Sequence, residues 1–214
     1  MKRFSVKKGL RVCAIGMALV AGLSASADDF IPKNPMTMWY DVPSTATGVK
    51  NVWMEYSLPI GNGQLGGSLF GGLNKDEIQF NEKTLWTGKP SDMQGYGGGY
   101  GQYKNFGSIF VEDLSGVFLP GKDGEVKDYV RSLDLQEGIG RVHCTSAEYM
   151  TAYDRTYFVS NPDKVMVARY QASGKKKLHL LFSFAPGKDI NASPVVYATD
   201  AGSLPYANFH GQLE

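Results

Sequence analysis

The densest run of chemically capable side chains in this 214-residue chain is Asn81-Glu82-Lys83-Thr84-Leu85-Trp86-Thr87-Gly88. Glu82 stands beside Asn81 and near Trp86, which raises the possibility of a carboxylic acid acting on a glycan. A general acid needs a desolvated pocket that lifts its pKa and a second carboxylate across the substrate. The sequence supplies no second carboxylate that can be placed opposite Glu82, so no catalytic residue is assigned. The expected role is structural. Asn81, Glu82 and Thr84 bond backbone groups in an irregular turn, and Trp86 buries a large apolar surface.

Other candidates are weaker. His143, His179 and His210 are scattered without metal-ligand spacing, so neither a metal nor a cofactor is expected. Gln94–Gly107 is a Gly/Tyr loop with no strand feeding a phosphate-cradling turn and no Lys-Ser/Thr at the required offset. It reads as a surface loop, although Tyr96, Tyr100 and Tyr103 suit stacking on sugar rings. Asp154 and Arg155 are neighbours on a strand and therefore face opposite sides. Lys175-Lys176-Lys177 reads as a solvated hairpin tip. Cys144 is the lone cysteine after the leader and reads as a small buried hydrophobe.

The elements that must position Asn81–Trp86 form a central hairpin. Gln64–Phe70 reads as a strand whose Gly66 and Gly67 allow another backbone close, Asn74-Lys75-Asp76 as turn chemistry, and Glu77–Phe80 as an alternating strand. Upstream, Met36–Val42 is a first strand with Trp39 packed on the sheet. Pro59 ends the element begun at Asn51, and Ser57–Gly63 is a tight turn. From Ser108 onward the pattern is nearly pure β: Ser108–Leu114, Asp128–Leu135, Ile139–Thr145, Glu148–Val159, Lys164–Gln171, Leu178–Phe184 and Val195–Thr199. In the fourth of these, Tyr149, Thr151, Tyr153, Arg155, Tyr157 and Val159 share one face. No apolar helical stripe extends over three turns. The fold class is all-β, a large antiparallel β-sandwich.

Composition agrees with a globular protein. Hydrophobic residues at 43% and charged ones at 20% argue against disorder, and a net charge of +1 gives no electrostatic reason to expect nucleic acid or an anionic membrane as partner. Of 26 glycines, 13 lie between Gly61 and Gly107, so the enrichment belongs to turns and one loop. Residues 1–27 combine basic Lys2, Arg3, Lys7, Lys8 and Arg11, an apolar run Val12–Leu23 and the small Ala25-Ser26-Ala27. They read as a cleaved signal peptide, with residues 28–214 as the sandwich domain. Export without disulfides suggests a bacterial periplasmic or extracellular protein, with no membrane contact once the signal is removed. Gly211–Glu214 looks like a strand just starting, and the domain is expected to be incomplete at this end.

An ordered set of motifs adds to this reading: Leu58–Gly63 with Leu65-Gly66, Phe70-Gly71-Gly72, Ile78–Gly88, Asn105-Phe106-Gly107, Asp128–Leu135, Tyr153 with Arg155, and Phe158–Val165. Together they resemble the N-terminal domain of glycoside hydrolase family 95, the α-L-fucosidase-type enzymes related to families 65 and 15. The resemblance implies an N-terminal "super-sandwich" that supports an (α/α)6 catalytic barrel, and removal of terminal α-L-fucosyl residues from fucosylated glycans with inversion. It implies that the acid Glu and the water-activating Asp lie in the barrel, absent from this chain. Asn81, Glu82, Thr84 and Trp86 then become candidates to face the barrel or its substrate. One departure is that only the loop Pro90–Gly107 spans a gap where relatives often carry a helical insertion. The alternative is a stand-alone carbohydrate-binding or degenerate β-sandwich without hydrolysis.

Overall fold

Alternation along one long strand links the sequence directly to the layers. Thr151, Tyr153, Arg155 and Tyr157 are all buried, while Ala152, Asp154, Thr156 and Phe158 between them are half-buried. That period of two is expected of a strand with one face on a core. The computed structural model describes residues 30–44, 50–87, 105–118 and 126–187, with the backbone alone at 102–103, 190–191, 195–199 and 212–213. The leader 1–27, Tyr96, Tyr100 and the chain end from Ala201 to Gly211 lie outside the described residues.

In chain order the elements are β1 (Thr37–Tyr40), α1 (Val52–Tyr56), β2 (Leu58–Gly61), β3 (Leu65–Leu69), β4 (Lys75–Glu82) and β5 (Trp86–Thr87). They continue as β6 (Gln102–Tyr103), β7 (Gly107–Asp113), β8 (Val126–Asp134), β9 (Ile139–Ser146) and β10 (Thr151–Val159). The last are β11 (Met166–Gly174), β12 (Leu180–Pro186), β13 (Ile190–Asn191), β14 (Val195–Thr199) and β15 (Gln212–Leu213). One sheet runs β1-β8-β9-β10-β11 and the other β14-β12-β7-β4-β3-β2, with small pairs β5-β6 and β13-β15. The core is drawn from both large sheets: Leu58, Ile60, Leu69 and Ile78 from one meet Leu133, Val142, Cys144, Tyr153 and Tyr157 from the other. This is an antiparallel β-sandwich.

Several local expectations change. Within 51–58 the residues Val52–Tyr56 form a short helix, capped where Asn51 Oδ1 accepts from the Met54 amide at 3.2 Å. Pro59 does not end it. Pro59 lies within β2, an edge strand paired only with β3, where a missing N–H is tolerated. The turn therefore shrinks to Asn62–Gln64. Residues 148–150 are a turn rather than strand, with Met150 at φ 44°. Lys175–Lys177 is not a hairpin tip, because β11 and β12 belong to different sheets; it is the crossover between them. Gly67 admits not a backbone but the Met166 side chain, whose Cε would lie 2.7 Å from an added Cβ. Cys144 is buried on β9 as expected, and burial raises its thiol pKa to about 11.

Buried polar groups tie the sheets together. Asp76 of β4, 1% exposed, accepts from the hydroxyls of Tyr157 at 2.5 Å and Tyr170 at 2.8 Å, and Arg155 Nη1 lies 3.7 Å from the same carboxylate. The Arg155 guanidinium also donates to the carbonyls of Gly72 (2.5 Å) and Leu73 (2.8 Å) in the β3–β4 turn. Burial, the largest single influence, lowers its pKa, but the Asp76 carboxylate together with Tyr157, Tyr170 and Cys144 outweighs it and the pKa is raised. Arg131 of β8 reaches the carbonyls of Val42 (Nε, 3.0 Å) and Tyr56, with its guanidinium over the Tyr40 ring. Tyr129 donates to Gly71 O at 2.6 Å, and Gly71 has φ +67°, a conformation suited to glycine.

Three outcomes are expected. Asp76→Asn leaves the Arg155 charge buried without its counter-ion and should cost about 3–5 kcal/mol of unfolding free energy in urea denaturation. Burial first, then Asp76, holds the Tyr157 and Tyr170 pKa values well above 10.0, and burial holds the Cys144 thiol above 9.0. The folded protein thus keeps protons that the unfolded chain releases. Stability contributed by these groups is complete below pH ~9 and falls as pH rises further, read as a declining urea midpoint. Gly140→Ala puts a Cβ 2.4 Å from Leu69 Cδ1 across the core, and the resulting overpacking should cost about 1–3 kcal/mol in the same measurement.

Candidate functional site

Asn81 and Glu82 end β4, and the chain then leaves the large sheet. Pairing with β3 continues to the last residue, with Gly66 opposite Asn81 and Leu65 opposite Glu82. Lys83 N donates to Gln64 O at 2.9 Å, and Leu85 N and Trp86 N turn back on Glu82 O (3.0 Å) and Thr84 O (2.8 Å). Asn81 Oδ1 accepts from the Glu82 amide at 2.9 Å. Glu82 Oε2 accepts from the Thr84 amide at 2.8 Å and from the Thr84 hydroxyl. The irregular, self-bonded turn expected of Asn81, Glu82 and Thr84 is present.

These bonds set the electrostatics. The Thr84 hydroxyl and then its amide favour the ionised carboxylate and lower the Glu82 pKa. A general acid at neutral pH requires the opposite direction. Glu82 is therefore suited to hold the turn or to accept hydrogen bonds, not to donate a proton.

Trp86 departs from expectation. Its side chain is 48% exposed instead of buried. The reason is its strand: β5 is two residues long and pairs with β6, Trp86 opposite Tyr103, outside both large sheets. The indole sits at the surface with its turn, beside a polar cluster. An amphipathic aromatic in that position can cover a partner surface or a sugar face.

The surroundings were not apparent from spacing. Phe80 at the end of β4, Phe106 before β7 and Phe184 on β12 form a three-ring cluster, with centroids 4.9, 5.9 and 6.0 Å apart. The cluster caps the sandwich next to Asn81. Asn62 organises the neighbouring turn: its Oδ1 accepts from the Gln64 (2.9 Å) and Leu65 (2.8 Å) amides. Its Nδ2 donates to Ser160 O of the β10–β11 turn at 2.6 Å. An Asn between two glycines was a readable turn signal, but its partner 98 residues away was not.

Four motifs singled out in the sequence thus converge on one end of the sandwich. The turn after β2, the Asn81–Trp86 segment, Asn105–Gly107 and the turn Ser160–Val165 form a rim to which both sheets contribute. Gly187 N donates to Phe106 O at 2.9 Å and closes this rim on the β12 side. Tyr153 and Arg155, from the same motif set, point instead into the core. As expected, Asp154 and Arg155 do not meet: Asp154 pairs with His143 at 2.7 Å on the outer face, and Arg155 reaches inward. No group of three metal-ligating side chains occurs among the described residues.

Comparison with known proteins bears on this geometry. Residues 38–100 and 91–204 match the family described as "Glycosyl hydrolase family 65, N-terminal domain". The chain is 28% identical over 166 residues to "Alpha-L-fucosidase 2" of Arabidopsis thaliana, a match covering 65% of this chain and 19% of that protein. It is 26% identical over 166 residues to "Probable alpha-fucosidase A" of Aspergillus niger, covering 64% of this chain and 20% of that protein. The match spans about a fifth of the length of each relative. With the family match running through β1–β14, this chain belongs to the glycosyl hydrolase family 65 N-terminal domain family.

Proposed function

We propose that this chain is the N-terminal β-sandwich of an exported, inverting glycoside hydrolase that removes terminal α-L-fucosyl residues from glycans. In this reading the sandwich supports an (α/α)6 catalytic barrel carried on further polypeptide. Its rim, with Asn81, Glu82, Thr84 and Trp86, faces that barrel and lines the approach to the substrate. The observation that carries the proposal is the convergence of four motifs, separated by up to about a hundred residues, on one end of the sandwich.

Physical chemistry supports the division of labour. Inversion requires an acid and a base whose carboxyl groups lie about 6.5–9.5 Å apart with a water between them. Glu82 is a poor acid, since its hydrogen bonds from Thr84 hold it ionised. The rim instead offers a fixed turn and a half-exposed indole, which position rather than react. Export fits the leader-like residues 1–27. No helix among the described residues is long and apolar enough to cross a membrane.

The test is hydrolysis of 2′-fucosyllactose. The chain alone should release no fucose, and turnover abolished by Glu82→Gln would overturn the proposal. In the full-length enzyme, release should yield the inverted anomer by NMR. Trp86→Ala there should lower kcat/KM by roughly tenfold, equivalent to ~1.4 kcal/mol of aromatic contact.

A further inference from the structure

The outer face of the five-stranded sheet carries a second feature, unconnected with the rim. A groove of about 720 Å³ lies between this face and the segment 30–35 that crosses it. Asn34 anchors the crossing segment, its Nδ2 donating to Asp134 Oδ1 at 2.9 Å and to Gln136 Oε1 at 3.0 Å. Val130 and Ser132 face outward from β8 yet are only 8% and 7% exposed, which fits a floor roofed by that segment.

Strand register lays out the floor. Ser132, Arg141 and Thr156 stand in one row across β8, β9 and β10, and Val130, His143 and Asp154 in the next. Two neighbouring polar pairs result: the ion pair of Arg141 with Glu137 at 2.9 Å, and His143 hydrogen-bonded to Asp154 at 2.7 Å. All four side chains remain 43–53% exposed, so each retains hydrogen-bonding capacity toward a ligand. Phe30 walls one side, its ring 5.4 Å from that of Trp39.

We infer that this groove binds a neutral saccharide, independently of the barrel-facing rim. Charge argues against an anionic ligand: the acidic side chains Asp134, Glu137 and Asp154 outnumber the basic Lys33 and Arg141, and the Arg155 guanidinium lies on the opposite face of β10. Planar guanidinium and carboxylate groups side by side match the paired donors and acceptors of vicinal hydroxyls. The Phe30 ring and the prolines of the crossing segment offer apolar surface to the C–H face of a sugar. The volume lies within the ~300–1,000 Å³ of small-ligand clefts.

The experiment titrates the chain with lactose, 2′-fucosyllactose and a sulfated disaccharide, followed by saturation-transfer NMR and calorimetry. Lactose carries no fucose, so its binding does not depend on the fucosidase reading. Saturable binding of the neutral sugars is expected, weakened at least tenfold by Asp154→Ala and by Arg141→Ala. Phe30→Ala should weaken it as well. The urea midpoint should not change in these variants. Absence of saturable binding, binding only of the sulfated sugar, or binding unaltered by both Asp154→Ala and Arg141→Ala would overturn the inference.

Discussion

A buried carboxylate, Asp76, joins the two sheets of this protein. It sits on β4 of the six-stranded sheet and accepts from two tyrosines and faces one arginine, all supplied by the five-stranded sheet. Each of these groups would be costly alone in the core, because a desolvated charge or hydroxyl needs a partner. Together they satisfy one another at one relative placement of the sheets. Hydrophobic contact between Leu58, Ile60, Leu69 and Ile78 and the facing β8–β10 residues supplies the driving force. The polar cluster supplies the register, since apolar side chains alone tolerate sliding far better than a 2.5 Å hydrogen bond does.

That registration has consequences at the rim. Arg155 holds the β3–β4 turn through the Gly72 and Leu73 carbonyls, and Tyr129 holds it through Gly71. With β4 fixed in this way, its far end delivers Asn81 and Glu82 to the turn that Thr84 completes. Asn62 then ties this end of the six-stranded sheet to the β10–β11 turn. A rim built from both layers is stiff because no single loop carries it. Stiffness of this kind suits a surface that must hold its shape against a partner.

The two candidate surfaces differ in physical character. The rim presents an aromatic side chain and local hydrogen bonds within its own turn, a composition suited to packing and positioning. The outer-face groove presents polar pairs that are half exposed, a composition suited to exchanging hydrogen bonds with a polar ligand. Both rest on the same scaffold, and β10 serves both, with Arg155 on its inner side and Asp154 on its outer side.

Much of this was legible in residue order. Period-two alternation marked β7–β12 and placed Tyr153, Arg155 and Tyr157 on one face, because the two faces of a pleated strand are set by chain geometry alone; that this face turns inward came from the sheets. The turn bonding of Asn81, Glu82 and Thr84 was legible for the same reason: the partners lie within two residues of each other. The exposure of Trp86 was not, since a bulky indole reads as core until its strand is found to lie outside the large sheets. Nor was the Asp76–Arg155 pair, whose members lie on β4 and β10 with five strands between them in the chain. Local backbone preference and side-chain alternation act between near neighbours and are written into the chain. Which distant groups meet depends on how two sheets dock, and that docking is settled by packing and by the cost of leaving buried polar groups unpaired.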